Sequence, residues 1–309
     1  MEKRKVTMKD IAEKVGVSAA TVSYVLNFSQ KEKISHETRL NVFQAAKELG
    51  YIPNMAAKAL AGSGSQMVGI VINLGENNKR SKIYSRFDLA NELQQLLSER
   101  GFDTVLLSTK NAQNGCDMAS KRSLEGVFVI GSGDTEPGEI AKKYFVPVVF
   151  LDEYLEDPLF YKIITDYRGL IRQAKNILQE EKLYLVTEDH INDYLRQVIE
   201  EEFSTQDVFI NRKDSSLEQF LQVHSGRKGI ILEELLALQA ERFARGENFV
   251  AVITSSKDTM LLPQTKRIVV SNRAKAEMAV AAMEKLMNLE QLEGQEKTIL
   301  ISPACQTEC

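Results

Sequence analysis

The 309-residue chain is poor in the side chains that most active-site chemistry uses. Its three cysteines, Cys116, Cys305 and Cys309, are odd in number and scattered, which fits free thiols in a reducing compartment rather than a disulfide framework. Cys305 and Cys309 lie close together in sequence, but two ligands with no partnering His or Cys pair make a poor zinc site. The three histidines, His36, His190 and His224, have no nucleophile at a suggestive spacing, so the chain is not expected to be an enzyme and no catalytic residue is named. Phosphate-cradling glycine patterns are missing too: Gly131-Ser132-Gly133-Asp134 is too short to count. No apolar run approaches the roughly eighteen residues of a membrane span, and Met1-Glu2-Lys3-Arg4-Lys5 leads into a helix rather than a secretory signal. A cytoplasmic chain is expected, with no membrane contact, bound metal or cofactor. Nor does a heptad-repeat tail force dimers into tetramers.

Charge is plentiful but unevenly placed. Residues 1–64 hold 10 Lys+Arg against 6 Asp+Glu, whereas the remainder holds 29 against 37. A basic head on an acidic body concentrates phosphate attraction at one end and makes any nucleic-acid binding salt dependent.

The head has the pattern of a helix-turn-helix. Thr7 and Asp10 form a Thr-x-x-Asp capping box ahead of Ile11, Ala12 and Val15 on one face, and Gly16 ends that helix. Ser18 caps a second helix over 19–26, with Val22, Val25 and Leu26 directed at the core. Ala19, Ala20, Thr21, Ser23 and Tyr24 are left at its N-terminal end and outer face as candidate base readers. Small side chains allow close backbone approach, but no Arg, Asn or Gln among them offers a bidentate base contact, so DNA shape is expected to carry much of the specificity. For Tyr24, stacking on the protein or touching phosphate alone is the competing reading. A third helix is capped by Ser35 and stops at Gly50. Next, Asn54 to Gly62 reads as a short helix, too short to form alone in water, followed by the flexible joint Gly62-Ser63-Gly64-Ser65. Lys58 is placed to meet phosphate or the minor-groove floor, and Leu60 is the one bulky apolar wedge, or else an ordinary packing leucine of that helix.

These motifs resemble the LacI/GalR family of bacterial transcription regulators. The resemblance is carried by Val6-Thr7-Met8-Lys9-Asp10-Ile11-Ala12, Val15-Gly16-Val17-Ser18, Thr21-Val22-Ser23, Leu26-Asn27, Glu37-Thr38-Arg39, Glu48-Leu49-Gly50-Tyr51, Pro53-Asn54 and Ala57-Lys58-Ala59-Leu60. It implies a homodimer on a near-palindromic operator, with paired hinge helices in the central minor groove and Leu60 prying apart the central step. Thr7, Ser18, Asn27, Asn54 and Ala57 join the base readers, Lys58 and Leu60 as expected DNA contacts. Lys58 stands where the family more usually has arginine, which keeps charge but loses the planar fork.

Beyond the joint, short apolar runs alternate with helical patterns, a βαβ rhythm that implies parallel sheets covered on both faces. Strands are expected at 67–74, 104–108, 126–130 and 146–151, and a second lobe from about Ile163–Thr165 onward. Domain bounds follow as 1–53 for the DNA-binding head, 54–65 for hinge and linker, and 66–309 for a two-lobed body. The fold class is thus an all-α helix-turn-helix head with a hinge helix, plus an α/β body similar to the family's effector domain, which itself resembles periplasmic binding proteins.

That body matches the family less well as it proceeds. Thr165-Asp166-Tyr167-Arg168-Gly169 is recognisable, Arg196 stands near a family arginine that holds ligand hydroxyls, and Glu233 falls where the family uses an aspartate. The glycines expected after the last two are absent. Asp166, Arg196 and Glu233 are therefore candidate contacts for a sugar or sugar phosphate, each with an alternative: helix cap, intrahelical ion pair and solvated acid. An enzyme of sugar metabolism bearing a DNA-binding head is made remote by the missing catalytic constellation, and two other functions remain open. One is an operator-binding repressor modulated by a small metabolite. The other is a DNA-binding dimer whose degenerate body answers to a protein partner or to nothing.

Overall fold

The computed structural model describes residues 6–27, 34–49, 51, 65–74, 80–109, 124–131, 146–189, 192–255, 259–288 and 297–304. The predicted hinge helix, with Asn54, Ala57, Lys58 and Leu60, lies outside these residues, as do Cys116, Cys305, Cys309 and His190.

Three helices make the head: α1 (Met8–Val15), α2 (Ala19–Leu26) and α3 (His36–Leu49). The capping box at α1 is complete. Asp10 Oδ2 accepts from the Thr7 N–H at 2.7 Å, and the Thr7 hydroxyl accepts from the Asp10 N–H at 3.4 Å. Gly16 ends α1 in the left-handed region at φ 75°, where a Cβ would be strained. Ser18 caps α2 and Ser35 caps α3, each accepting the N–H three residues on. Ile11, Ala12, Val22, Val25, Leu26, Val42, Ala45, Ala46 and Tyr51 close one small core. Because that core is small, the caps carry a real share of its stability. Asp10→Ala is expected to cost about 0.5–1 kcal/mol, seen as amide exchange in α1 accelerating about two- to fivefold; unchanged exchange would mean the box contributes nothing.

The body has two parallel sheets. Strands β1 (Met67–Asn73), β2 (Asp103–Thr109), β3 (Gly126–Ile130), β4 (Val148–Leu151), β5 (Tyr161–Thr165) and β11 (Thr298–Ile301) form the first, in the order β11-β5-β4-β3-β1-β2. The second contains β6 (Tyr184–Glu188), β7 (Val208–Asn211), β8 (Gly229–Leu232), β9 (Phe249–Ile253) and β10 (Lys266–Val269), in the order β10-β9-β8-β6-β7. Strands β3, β4 and β5 are buried along their whole length, as expected for a parallel sheet covered on both faces. Helix α4 (Arg80–Glu99) lies on the first sheet, while α5 (Tyr167–Leu178), α6 (Asp193–Glu202), α7 (Leu217–Val223) and α8 (Glu234–Ala240) belong to the second lobe. Helix α9 (Asn272–Met287) returns to the first lobe and packs on α4, β4 and β5.

One boundary differs from the sequence reading. The second lobe does not begin at Ile163–Thr165, because β5 pairs with β4 and β11 in the first sheet; the chain crosses only at Asp166, the cap of α5. It crosses back between β10 and α9. A third connection follows β11, where the Ala304 N–H donates to the Val269 carbonyl at 2.8 Å. The strand β11 was not foreseen, since it completes the first sheet from the far end of the chain.

Candidate nucleic-acid interface and interlobe cleft

On the head, the expected DNA contacts that fall within the described residues lie at the cap of α1 and along α2 with its caps. Ala20 and Asn27 are exposed, while Ala19, Thr21, Ser23 and Tyr24 are half-buried beside the packed Val22, Val25 and Leu26. The polar side chains of Ser18, Thr21, Ser23 and Asn27 already have local partners. The Ser18 hydroxyl accepts from the Thr21 N–H at 2.9 Å and shares a hydrogen bond with the Thr21 hydroxyl, and the Asn27 side-chain amide donates to the Ser23 hydroxyl at 3.2 Å. Thr7 is likewise committed to its cap, its hydroxyl donating to Asp10 at 2.7 Å. The surface is thus one of small groups and helix N-termini, suited to close backbone approach and to phosphate.

The head also rests on the body. His36, at the start of α3, meets Asp157 at 2.7 Å and stacks on Phe160 with ring centroids 5.9 Å apart, and Phe160 packs edge-on against the core ring of Phe150. Asp157 is held by the Leu159 N–H on its other carboxylate oxygen and by Lys162 on its carbonyl. Sequence reading placed His36 in the head but had no means of finding a partner 121 residues away.

Between the lobes lies a cleft at the carboxyl ends of both sets of strands, where doubly wound folds bind ligands. Its cavity is about 120 Å³, and its lining includes Lys82, Arg86, Asp152, Glu188, Glu233 and Lys275. Of the three residues proposed from sequence, only Glu233 lies there. Asp166 caps α5, accepting from the Gly169 N–H at 2.9 Å, while its neighbours Thr165 and Tyr167 face the cleft instead. Arg196 is exposed on α6, pairs with Asp193 at 3.7 Å and is not part of the lining; Asn192 and Leu195 of the same segment are. Both positions therefore follow their alternative reading, cap and intrahelical pair.

The cleft's electrostatics are set by burial. Arg86 is 7% exposed and donates to the Asn73 carbonyl, and a Cβ at Gly131, itself at φ 72°, would overlap its guanidinium. Desolvation lowers the Arg86 pKa, opposed by the carboxylates of Glu153, Asp152, Glu233 and Asp189. Glu233 is raised to about 7, first by desolvation and then by Glu188 and Asp152, against the Ser85 hydrogen bond and Lys275. Burial also raises Glu188 and the Tyr167 phenol. Lys275 pairs with Asp152 at 2.7 Å, and Asp152 holds a positive φ of 55° directly after β4. Strand-end positions such as Asp152 and Glu188 were findable from the rule that ligands meet carboxyl ends; Arg86 and Lys275 sit on helices and gave no such cue. Among the described residues, no helix is long and apolar enough to cross a membrane, and no His/Cys/Asp/Glu group could hold a metal ion.

Comparison with known proteins agrees with both parts of this geometry. Residues 7–54 match the family described as bacterial regulatory proteins, lacI family. The chain is 30% identical over 172 residues to the sucrose operon repressor of Klebsiella pneumoniae, covering 54% of this chain and 49% of that one. To the HTH-type transcriptional repressor PurR of Mannheimia succiniciproducens it is 28% identical over 152 residues, covering 47% and 43%. It spans about half the length of the curated relatives it matches. In fold it is similar along nearly its whole length to the lac repressor dimer bound to operator and the anti-inducer ONPF, at a TM-score of 0.62, 20% identity and 97% coverage of each chain. The transcriptional regulator CelR in complex with cellobiose gives a TM-score of 0.61 at 19% identity, covering 97% of this chain and 98% of that one. Residues 7–54, which carry these motifs, thus form a head of the type described as bacterial regulatory proteins, lacI family.

Proposed function

We propose that the chain is a sequence-specific DNA-binding transcriptional regulator, a repressor, that grips a near-palindromic operator as a homodimer and is modulated by a small metabolite of the sugar class. The observation that carries it is the head: α2 buries Val22, Val25 and Leu26 and leaves its small-residue face open beside two capped helix N-termini. A single recognition helix of eight residues reads only a few base pairs, so two copies are needed for an operator of useful length. The relatives named as a sucrose operon repressor and as a regulator bound to cellobiose support the effector class. The body adds the rest of a switch, two lobes around a cleft whose arrangement a ligand can bias.

Gel-shift and bending assays on operator fragments selected from random sequence test this reading. Leu60→Ala is expected to lower selected-operator affinity at least tenfold and to abolish bending while leaving most non-specific binding in place. Bending retained in that variant removes Leu60 from the wedge role. No selection of any sequence by the intact chain overturns the regulator itself. The size of the cleft favours a second reading. Ligand pockets ordinarily run to roughly 300 Å³ and above, so a cavity of about 120 Å³ suits a body that takes no small molecule as it stands.

A further inference from the structure

The two lobes are tied together across the cleft by the protein's own side chains, several of them from one face of one helix, and two of these, Lys82 and Ser85, line the cavity itself. Ser81, Lys82, Ser85 and Asp88 recur along α4 at helical spacing and form a polar stripe facing the second lobe. Each has a partner across the cleft. The Ser81 hydroxyl donates to Glu188, and Lys82 pairs with Asp189 at 3.1 Å; both acids are at the end of β6. Ser85 hydrogen-bonds Glu233, just beyond β8. Asp88 accepts from the Thr254 hydroxyl, just beyond β9, at 3.0 Å, and from Asn272 at 2.7 Å. From the other side, the Asn192 amide donates to the Asp152 carbonyl at 3.1 Å. Three neighbouring strand ends of the second lobe, where a ligand's hydroxyls would be gripped, are thus already engaged by the first lobe.

We propose that the polar stripe of α4 is an internal occupant of the cleft, holding the lobes closed with nothing bound, so that an effector enters only by displacing the stripe and parting the lobes. This deepens the reading of the body as a metabolite-responsive switch, rests on that reading, and fixes the sign of the motion: binding opens. The chemistry is a direct exchange. A polyhydroxylated ligand offers hydroxyls that can replace those of Ser81 and Ser85 on Glu188 and Glu233, and it must also break the Lys82–Asp189 pair, whose lysine is only 11% exposed. The cost of breaking these links is subtracted from the ligand's affinity, as for any ligand whose competent state is sparsely populated.

Small-angle scattering on the full chain tests this, with operator affinity as a separate readout. The unliganded protein is expected to give the compact profile of closed lobes, and Asp189→Lys, which sets two cations against each other, an expanded one. Because that variant could also unfold, the exchanged pair Lys82→Asp with Asp189→Lys is the deciding control: it is expected to restore the compact profile. Glucose, sucrose and cellobiose serve as ligand probes, and one that binds is expected to expand the wild-type profile and to bind Asp189→Lys more tightly. A folded Asp189→Lys with a wild-type profile overturns the proposal, as does failure of the exchanged pair to recompact or a sugar that binds without expansion. Scattering does not involve DNA, so loss of all operator selection with these profiles as expected would sink the regulator reading and leave the closed stripe standing.

Discussion

Arg86→Met is expected to destabilise the body by about 3–5 kcal/mol, the cost of removing one partner from a buried ionic cluster. The guanidinium is almost fully buried, and four acids sense it: Glu153, Asp152, Glu233 and Asp189. Glu153 is itself 2% exposed, so its charge has little water to fall back on. Methionine keeps much of the apolar stem and removes the charge, which separates electrostatic loss from cavity formation. In a body of this size the loss corresponds to a fall in melting temperature on the order of 10 °C. Arg86→Lys is expected to recover only part of it, since an ammonium restores charge but not the planar fork that reaches the Asn73 carbonyl beside Gly131. A melting temperature within about 1 °C of wild type for Arg86→Met would show that the cluster is solvated and does not depend on the guanidinium.

How much of this was legible in the sequence depends on whether a feature is local. The head's caps at Thr7, Ser18 and Ser35 and its stop at Gly16 act over three or four residues, and their spacing alone located α1, α2 and the start of α3. The βαβ rhythm likewise gave most strands, because burial on both faces writes continuous apolar runs. Sheet membership was not local. Tyr161–Thr165 reads the same whether it opens a second lobe or completes the first, and only pairing with β4 and β11 decides it. The cleft was harder still, since its lining is assembled from α4, β4, β6, β8 and α9, far apart in sequence. Glu233 lines the cleft because it follows a strand, whereas Arg196 of α6 is exposed while Asn192 and Leu195 of the same segment line the cleft. The stripe on α4 was hidden by its own chemistry, for serines and charges on a helix read as a solvated face.

Glu233→Gln is expected to flatten the pH dependence of stability, and the sign follows from the direction of the shift. The Glu233 carboxyl has an ordinary value of 4.5 and is raised to about 7 in the fold, so the folded state prefers the neutral acid. Its contribution is fully present below about 4.5, falls as pH rises towards 7, and is flat above that. A shift of this size corresponds to about 3 kcal/mol, and the partial exposure of the residue as a whole trims it to about 2–3 kcal/mol. Glutamine reproduces the neutral acid's shape and can keep the Ser85 hydrogen bond, so the variant should match wild type near pH 4.5 and exceed it in stability by that amount at pH 8. Urea unfolding at the two pH values measures the difference directly, and comparison of the two proteins removes that part of the Glu188 contribution, whose pKa burial also raises, that does not depend on the Glu233 charge. Equal stabilities at pH 8 would place Glu233 in water rather than under the α4 stripe. If the variant gains as expected, wild-type protein keeps an ionisable strain in the cleft near neutral pH, on the residue where an entering hydroxyl would first find an acceptor.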